Sequence, residues 1–145
     1  MSNLLKKSTI KSTRVESPLP LPVDDLMARM KLAERNDCTV TALTMATKLP
    51  YVDCWAIAKK AGRKPAKAFV SSRLVDAFNK TNRGTLKSVG RPFITIKQFI
   101  KLNPKGAFYA RRSKHAFAII DGKVKNERGE RRIITDAWVF VPPTA

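Results

Sequence analysis

A single histidine and two cysteines limit the nucleophilic chemistry open to this chain. Cys38 follows Asn36 and Asp37 in ERNDCTVTAL, at the head of an apolar-periodic segment. With Asn36 or Asp37 as cap, its thiol sits at a helix N-terminus, where unpaired N–H groups and the helix dipole favour the thiolate. His115 opens the apolar run HAFAII after the basic turn ARRSK, and a strand end can present an imidazole at a cleft. Asp136 closes RRIITD on a strand expected to lie beside that of His115. From there its carboxylate would accept the Nδ1 proton and turn the ring towards the thiol. Cys, His and Asp in that order form one arrangement in which acyl-transfer triads occur. The chemistry expected is attack of Cys38 on an amide or ester carbonyl, with His115 first as base and then as acid. Asn126 is a second candidate for the orienting role, and Asp121 suits the DG turn better. Cys54, inside YVDCWAIA, reads as core. One His, two Cys and no CxxC pair do not supply the usual zinc set, so no metal and no cofactor are expected.

Positioning these groups falls to helices in the first two thirds of the chain and strands in the last third. Asp24 and Asp25 suit the start of a helix over LMARMKLAE. Val40, Leu43, Ala46 and Thr47 share a face of a helix over 38–47. The β-branched Thr39, Thr41 and Thr44 each lower its propensity by roughly a few tenths of a kcal/mol. Pro50 opens the next helix, with Val52, Trp55 and Ala56 facing inward and Gly62 as its stop. SSRLVDAFNK is a short helix capped by Ser71 or Ser72. In TIKQFIKL, Thr95 and Gln98 form a capping box, and Ile96, Phe99 and Ile100 face inward. From Ala107 onward AFYAR, HAFAIID, a DGK turn, a short return strand, RRIIT and AWVFV read as strands. The order predicts an α+β fold with N-terminal helices packed on a C-terminal antiparallel sheet.

Charge points to a partner. Twenty-nine Lys and Arg against eleven Asp and Glu give a net charge of +18 over 145 residues, which implies a polyanion, DNA or RNA, or an acidic protein surface. Residues 1–25 read as a basic, proline-containing arm, in which Lys6, Lys7, Lys11 and Arg14 precede Pro18, Pro20 and Pro22. Residues 26–145 then form one domain. Arg63 and Lys64 in GRKPAK and Arg111 and Arg112 in ARRSK are further phosphate-contact candidates. No RNA-recognition, zinc-finger or basic-zipper pattern is present, so binding would read phosphates rather than bases. No apolar run approaches a membrane span, and no apolar segment follows the N-terminal lysines as a secretory signal requires.

NDCTVTALTMAT is similar to the catalytic-helix segment of the bacteriocin-processing (double-glycine leader) peptidases of the papain-like superfamily. KHAFAIIDGKV and IITDAW resemble the His and Asp strands of that group. Small phage-encoded proteins of this type share the runs Asn-Asp-Cys, Leu-Pro-Tyr, Ala-Gly-Arg and His-Ala-Phe-Ala. The resemblance, carried by three short motifs within residues 34–140, implies a papain-like architecture and a cysteine peptidase or amidase-like hydrolase. It makes Cys38 the nucleophile, His115 the general base and acid, and Asp136 the orienting residue. It also implies a phage protein located in the infected host cytoplasm or the virion interior and not secreted, with the arm free to dock on other virion proteins. Many members place a Gln shortly before the Cys to complete an oxyanion hole. This chain has only Gln98, and Glu34 and Asn36 stand near the vacant place, leaving the Cys38 N–H and the Asn36 amide as donors.

Overall fold

The structure, a computed structural model, describes residues 20–32, 34, 37–64, 70–127, 129 and 131–144. Lys6, Lys7, Lys11, Arg14 and Asn36 lie outside the described residues. Pro22 precedes helix α1 (Val23–Lys31), which carries Asp24 and Asp25 in its first turn and Arg29 and Lys31 in its last, the arrangement its dipole favours. Leu21 is buried in the core, so the folded part reaches back into the span read as arm.

Helix α2 (Cys38–Thr47) is buried at every residue from Thr39 to Thr47. Its threonines make that possible. Thr44 Oγ1 donates to the Val40 carbonyl at 2.9 Å and Thr47 Oγ1 to the Leu43 carbonyl at 2.7 Å, so these hydroxyls are satisfied within the helix itself. Helix α3 (Tyr51–Lys60) starts after Pro50 and stops before Gly62, at φ 109°. Its buried face is Tyr51, Cys54 and Ala58; of the expected Val52, Trp55 and Ala56, Trp55 packs half-buried against the core, while Val52 is 47% exposed and Ala56 is exposed too. The rotation follows from two polar anchors: the Tyr51 hydroxyl reaches buried Asp37, and the Trp55 indole N–H reaches Glu34. Helix α4 (Ser71–Asn79) buries Leu74, Val75 and Phe78. Ser71 lies inside the helix and does not cap it, because its hydroxyl pairs with that of Tyr109 at 2.9 Å.

Strand β1 (Thr85–Ser88), which the sequence reading missed, and β2 (Ile94–Thr95) precede α5 (Ile96–Leu102). The Thr95–Gln98 capping box is present as expected. Then come β3 (Ala107–Arg112), β4 (His115–Ile120), β5 (Lys123–Lys125), β6 (Ile133–Ile134) and β7 (Asp136–Val141). Five strands make an antiparallel sheet in the order β1-β7-β3-β4-β5, and β2 pairs with β6 beside it. Asp121 (φ 47°) and Gly122 (φ 79°) form the two-residue β4–β5 hairpin, whose left-handed backbone matches strand twist.

Side chains alternate across the sheet. Tyr109, Ala116 and Ala118 join α2, α3 and α4 in one core cluster. Phe108, Ala110, Phe117 and Ile119 join Ile96 and Phe99 of α5 and Ile134 of β6 in the other. The fold is α+β, with the sheet between the first four helices and α5. No helix among the described residues is long and apolar enough to cross a membrane.

Candidate functional site

Cys38 is the first residue of α2, which packs against β4 and β3. Its sulfur accepts the Ala116 backbone N–H at 3.4 Å. The Cys38 sulfur and the His115 ring line the same cleft and interact electrostatically there. On its other side, His115 Nε2 lies 2.7 Å from the Asn126 backbone carbonyl. A carbonyl can only accept, so Nε2 carries a proton and Nδ1 is the nitrogen left for the thiol. Asn126 follows β5 in the left-handed region, at φ 65°, a conformation that asparagine tolerates better than most residues. An Arg112–Glu127 ion pair ties the next residue of that loop to the end of β3. Burial pushes the Cys38 thiol up, but its interaction with His115 and the hydrogen bond from the Ala116 N–H outweigh it and hold the thiol below the ordinary range. His115 is raised, by Cys38 first, against its own burial and with help from the Asn126 carbonyl. Both shifts favour thiolate with imidazolium.

Asp136 does not orient His115. Strand β3 lies between β4 and β7, pairing Arg112 with His115 on one edge and Arg111 with Asp136 on the other. Two strand spacings put the backbones of His115 and Asp136 roughly 10 Å apart. The second edge of β4 is already filled by β5 through the Asp121–Gly122 hairpin, so the last strand pairs on the far side of β3. The Asp136 carboxylate accepts Arg111 Nη1 at 2.7 Å and stands 3.4 Å from Arg91 Nε. The reserve candidate, Asn126, takes the orienting place, through its backbone and not its amide.

The acids ahead of the cysteine are anchors. Asp37 is buried and makes no cap bond to α2. Its carboxylate accepts Arg29 Nε at 2.7 Å, Arg29 Nη2 at 2.9 Å and the Tyr51 hydroxyl at 2.6 Å. Glu34, expected near an oxyanion hole, accepts Arg63 Nη2 at 3.0 Å and Trp55 Nε1 at 2.8 Å. Arg63 is therefore no phosphate contact, since its side chain is 3% exposed in that ion pair. Arg111 and Arg112 are likewise engaged, by Asp136 and Glu127, and of the four described candidates only Lys64 is an exposed cation outside an ion pair. Cys54 is buried and its thiol is pushed up to about 11, an inert core residue.

Above the Cys38–His115 pair opens a cleft of ≈ 750 Å³, lined also by Ser71, Arg91, Arg111, Lys114, Asp136 and Trp138. Compared with protein-family models, curated proteins and solved structures, the chain finds no match. The site's chemistry therefore rests on its own geometry. An activatable sulfur, an imidazole held between it and a carbonyl, and a helix N-terminus at an open cleft suffice for nucleophilic acyl transfer. Among the described residues no group of three or more His, Cys, Asp or Glu is placed to hold a metal ion.

Proposed function

We propose that this chain is a cysteine hydrolase of papain-like type, acting on amides or esters through Cys38 and His115. The observation that carries the reading is that Cys38 and His115 share one cleft, with the sulfur held by the Ala116 N–H and His115 Nε2 meeting the Asn126 carbonyl. The Cys38 thiolate attacks the carbonyl carbon, and the new oxyanion faces the N-terminus of α2. Collapse breaks the bond to the leaving nitrogen or oxygen, which takes the His115 Nδ1 proton. Water then attacks the thioester, returning a proton to His115, and the C–S bond breaks to release the acid and restore the sulfur. The lowered Cys38 and raised His115 define the working window. Below it the sulfur is protonated, and above it His115 lacks the proton the leaving group needs. The test is alkylation of Cys38 by iodoacetamide across pH. Cys38 should react at lower pH than a free peptide thiol, and His115→Gln should move the profile back up. A profile coincident with the peptide thiol refutes the activated pair.

A second reading, nucleic-acid binding, is favoured by a separate groove of ≈ 830 Å³ lined by Lys97, Lys123, Arg131 and Glu127. It lies between α5 and the β5 edge, on the sheet face turned away from α2. Lys97, Lys123 and Arg131 are exposed and pair with no acid among the described residues. If phosphates track this groove, the affinity for a DNA duplex falls steeply with salt. Lys97→Gln and Lys123→Gln should then each reduce the slope of log K against log salt by about one. A slope that neither substitution changes removes the groove from consideration.

A further inference from the structure

The cleft over Cys38 holds more positive charge than acyl transfer requires. Three cations, Arg91, Arg111 and Lys114, line it against one acid, Asp136, and the thiolate–imidazolium pair adds no net charge. The two guanidiniums are set in place. Arg111 Nη1 is shared between Asp136 Oδ2 at 2.7 Å and Thr135 Oγ1 at 2.9 Å. Arg91 sits 3.4 Å from Asp136 through Nε, with its guanidinium 5.4 Å from the centre of the Phe93 ring. Each guanidinium has five N–H donors, and Asp136 uses only part of the set. Their side chains are 71% and 38% exposed for Arg91 and Arg111, so the remaining donors are open to the cleft. Lys114 stands at the tip of the β3–β4 hairpin, next to His115. Asp136, displaced from the histidine, thus acts as a brace that holds two arginines ready and leaves their charge incompletely balanced.

We infer that Arg91 and Arg111, with Lys114, form a carboxylate receptor that selects acyl substrates bearing a carboxylate close to the scissile carbonyl. The inference rests on the Cys38–His115 hydrolase reading and names the substrate class of that site. Guanidinium pairs recognise carboxylates by charge-assisted, often bidentate hydrogen bonds, and a brace made in advance lowers the ordering cost of binding.

The experiment compares alkylation of Cys38 by iodoacetate, an anion, and by iodoacetamide, its neutral isostere, each referenced to a free peptide thiol. At low salt the iodoacetate-to-iodoacetamide ratio at Cys38 should exceed that of the peptide thiol by about fivefold or more, and salt should shrink it. The His115 imidazolium also draws an anion, so the arginines are isolated by substitution. Arg91→Gln, at an exposed position where folding is not at stake, should lower the ratio about two- to threefold, and Arg111→Gln at least as much. The two readings fail separately. Slow reaction with iodoacetamide refutes the activated thiol, whereas fast reaction with a ratio that neither arginine substitution moves overturns the receptor alone. Paired peptide substrates then distinguish the carboxylate's source. Preference for Glu over Gln beside the scissile bond assigns a side chain, and preference for a free over an amidated C-terminus assigns the chain end. Equal turnover of every pair overturns the inference.

Discussion

Under the proposed hydrolase reading, Cys38→Ala should abolish hydrolysis of an activated ester, with a fall in kcat on the order of 10⁶ when the nucleophile is lost. The fold should persist, because the anchors of the α2 start, Asp37 with Arg29 and Glu34 with Arg63, do not involve the sulfur. His115→Ala should cost nearly as much, since nucleophile and base act as a unit and their losses are not additive. Asp136→Asn separates this geometry from an ordinary triad. Where a carboxylate orients the histidine, its replacement by the amide costs about 10⁴. Here the Nε2 proton goes to the Asn126 carbonyl, which no side-chain substitution at 136 removes, so the loss should fall well short of that figure. Asn126→Pro is the matching perturbation. Proline cannot adopt φ 65°, so the carbonyl must swing away from His115 and the rate should drop steeply. Initial rates for the four variants, with circular dichroism to confirm folding, decide the matter. A Cys38→Ala protein that retains its rate excludes Cys38 as nucleophile, and an Asp136→Asn loss near 10⁴ returns the orienting role to the carboxylate.

Local signals were legible where the physics is local. The Thr95–Gln98 capping box, the Asp121–Gly122 hairpin and the start of α2 at Cys38 each depend on residues within a turn of one another, and each stands where the residue types put it. Strand neighbours are a different matter. Whether β7 lies beside β4 or β3 depends on which edge is free, and the β4–β5 hairpin removes one edge without changing anything in RRIITDAW itself. That is why Cys38 and His115 were found together while Asp136 was misplaced. β1 was missed because only Leu86 among its four residues is buried, which leaves no alternation to read. On α3 hydrophobicity favours Val52 on the inward face, whereas the anchors on Tyr51 and Trp55 set a rotation that turns Val52 out. By sequence Arg63 reads as a phosphate contact and Glu34 as a neighbour of the vacant oxyanion place. Their mutual pairing, across 29 positions, is invisible until the chain is folded.

That pair carries the largest expected stability effect. The Glu34 and Arg63 side chains are 2% and 3% exposed, 3.0 Å apart, with Trp55 Nε1 completing the Glu34 oxygens. Removing one member of a buried ion pair leaves the other charge buried and unmatched, at a cost of about 3–5 kcal/mol. Glu34→Ala should therefore lower the Tm by roughly 10 °C in a chain of this size. Arg63 has little to fall back on, since its Nε already lacks a hydrogen-bond partner among the described residues. The pH dependence has a definite sign. Burial raises the Glu34 carboxyl, but the hydrogen bonds from Arg63 and Trp55 and the Arg63 charge outweigh it and hold it below its ordinary range. A depressed folded-state pKa contributes stability above the unfolded carboxylate range, and that contribution is lost as pH falls through the folded value. Glu34→Leu with Arg63→Met removes both charges together, so it should recover most of the loss and flatten that part of the acid limb. Recovery stops short of complete because Trp55 loses its acceptor, worth about 1–3 kcal/mol when buried. Thermal melts of the single and double variants at neutral and acidic pH measure all of this. If the double variant is no more stable than Glu34→Ala, the cost lies in packing and not in a stranded charge. Glu34 stands four residues ahead of Cys38, so the single variant should also slow Cys38 alkylation below its own Tm. Loosening this anchor frees the start of α2, and with it the thiol's alignment to His115.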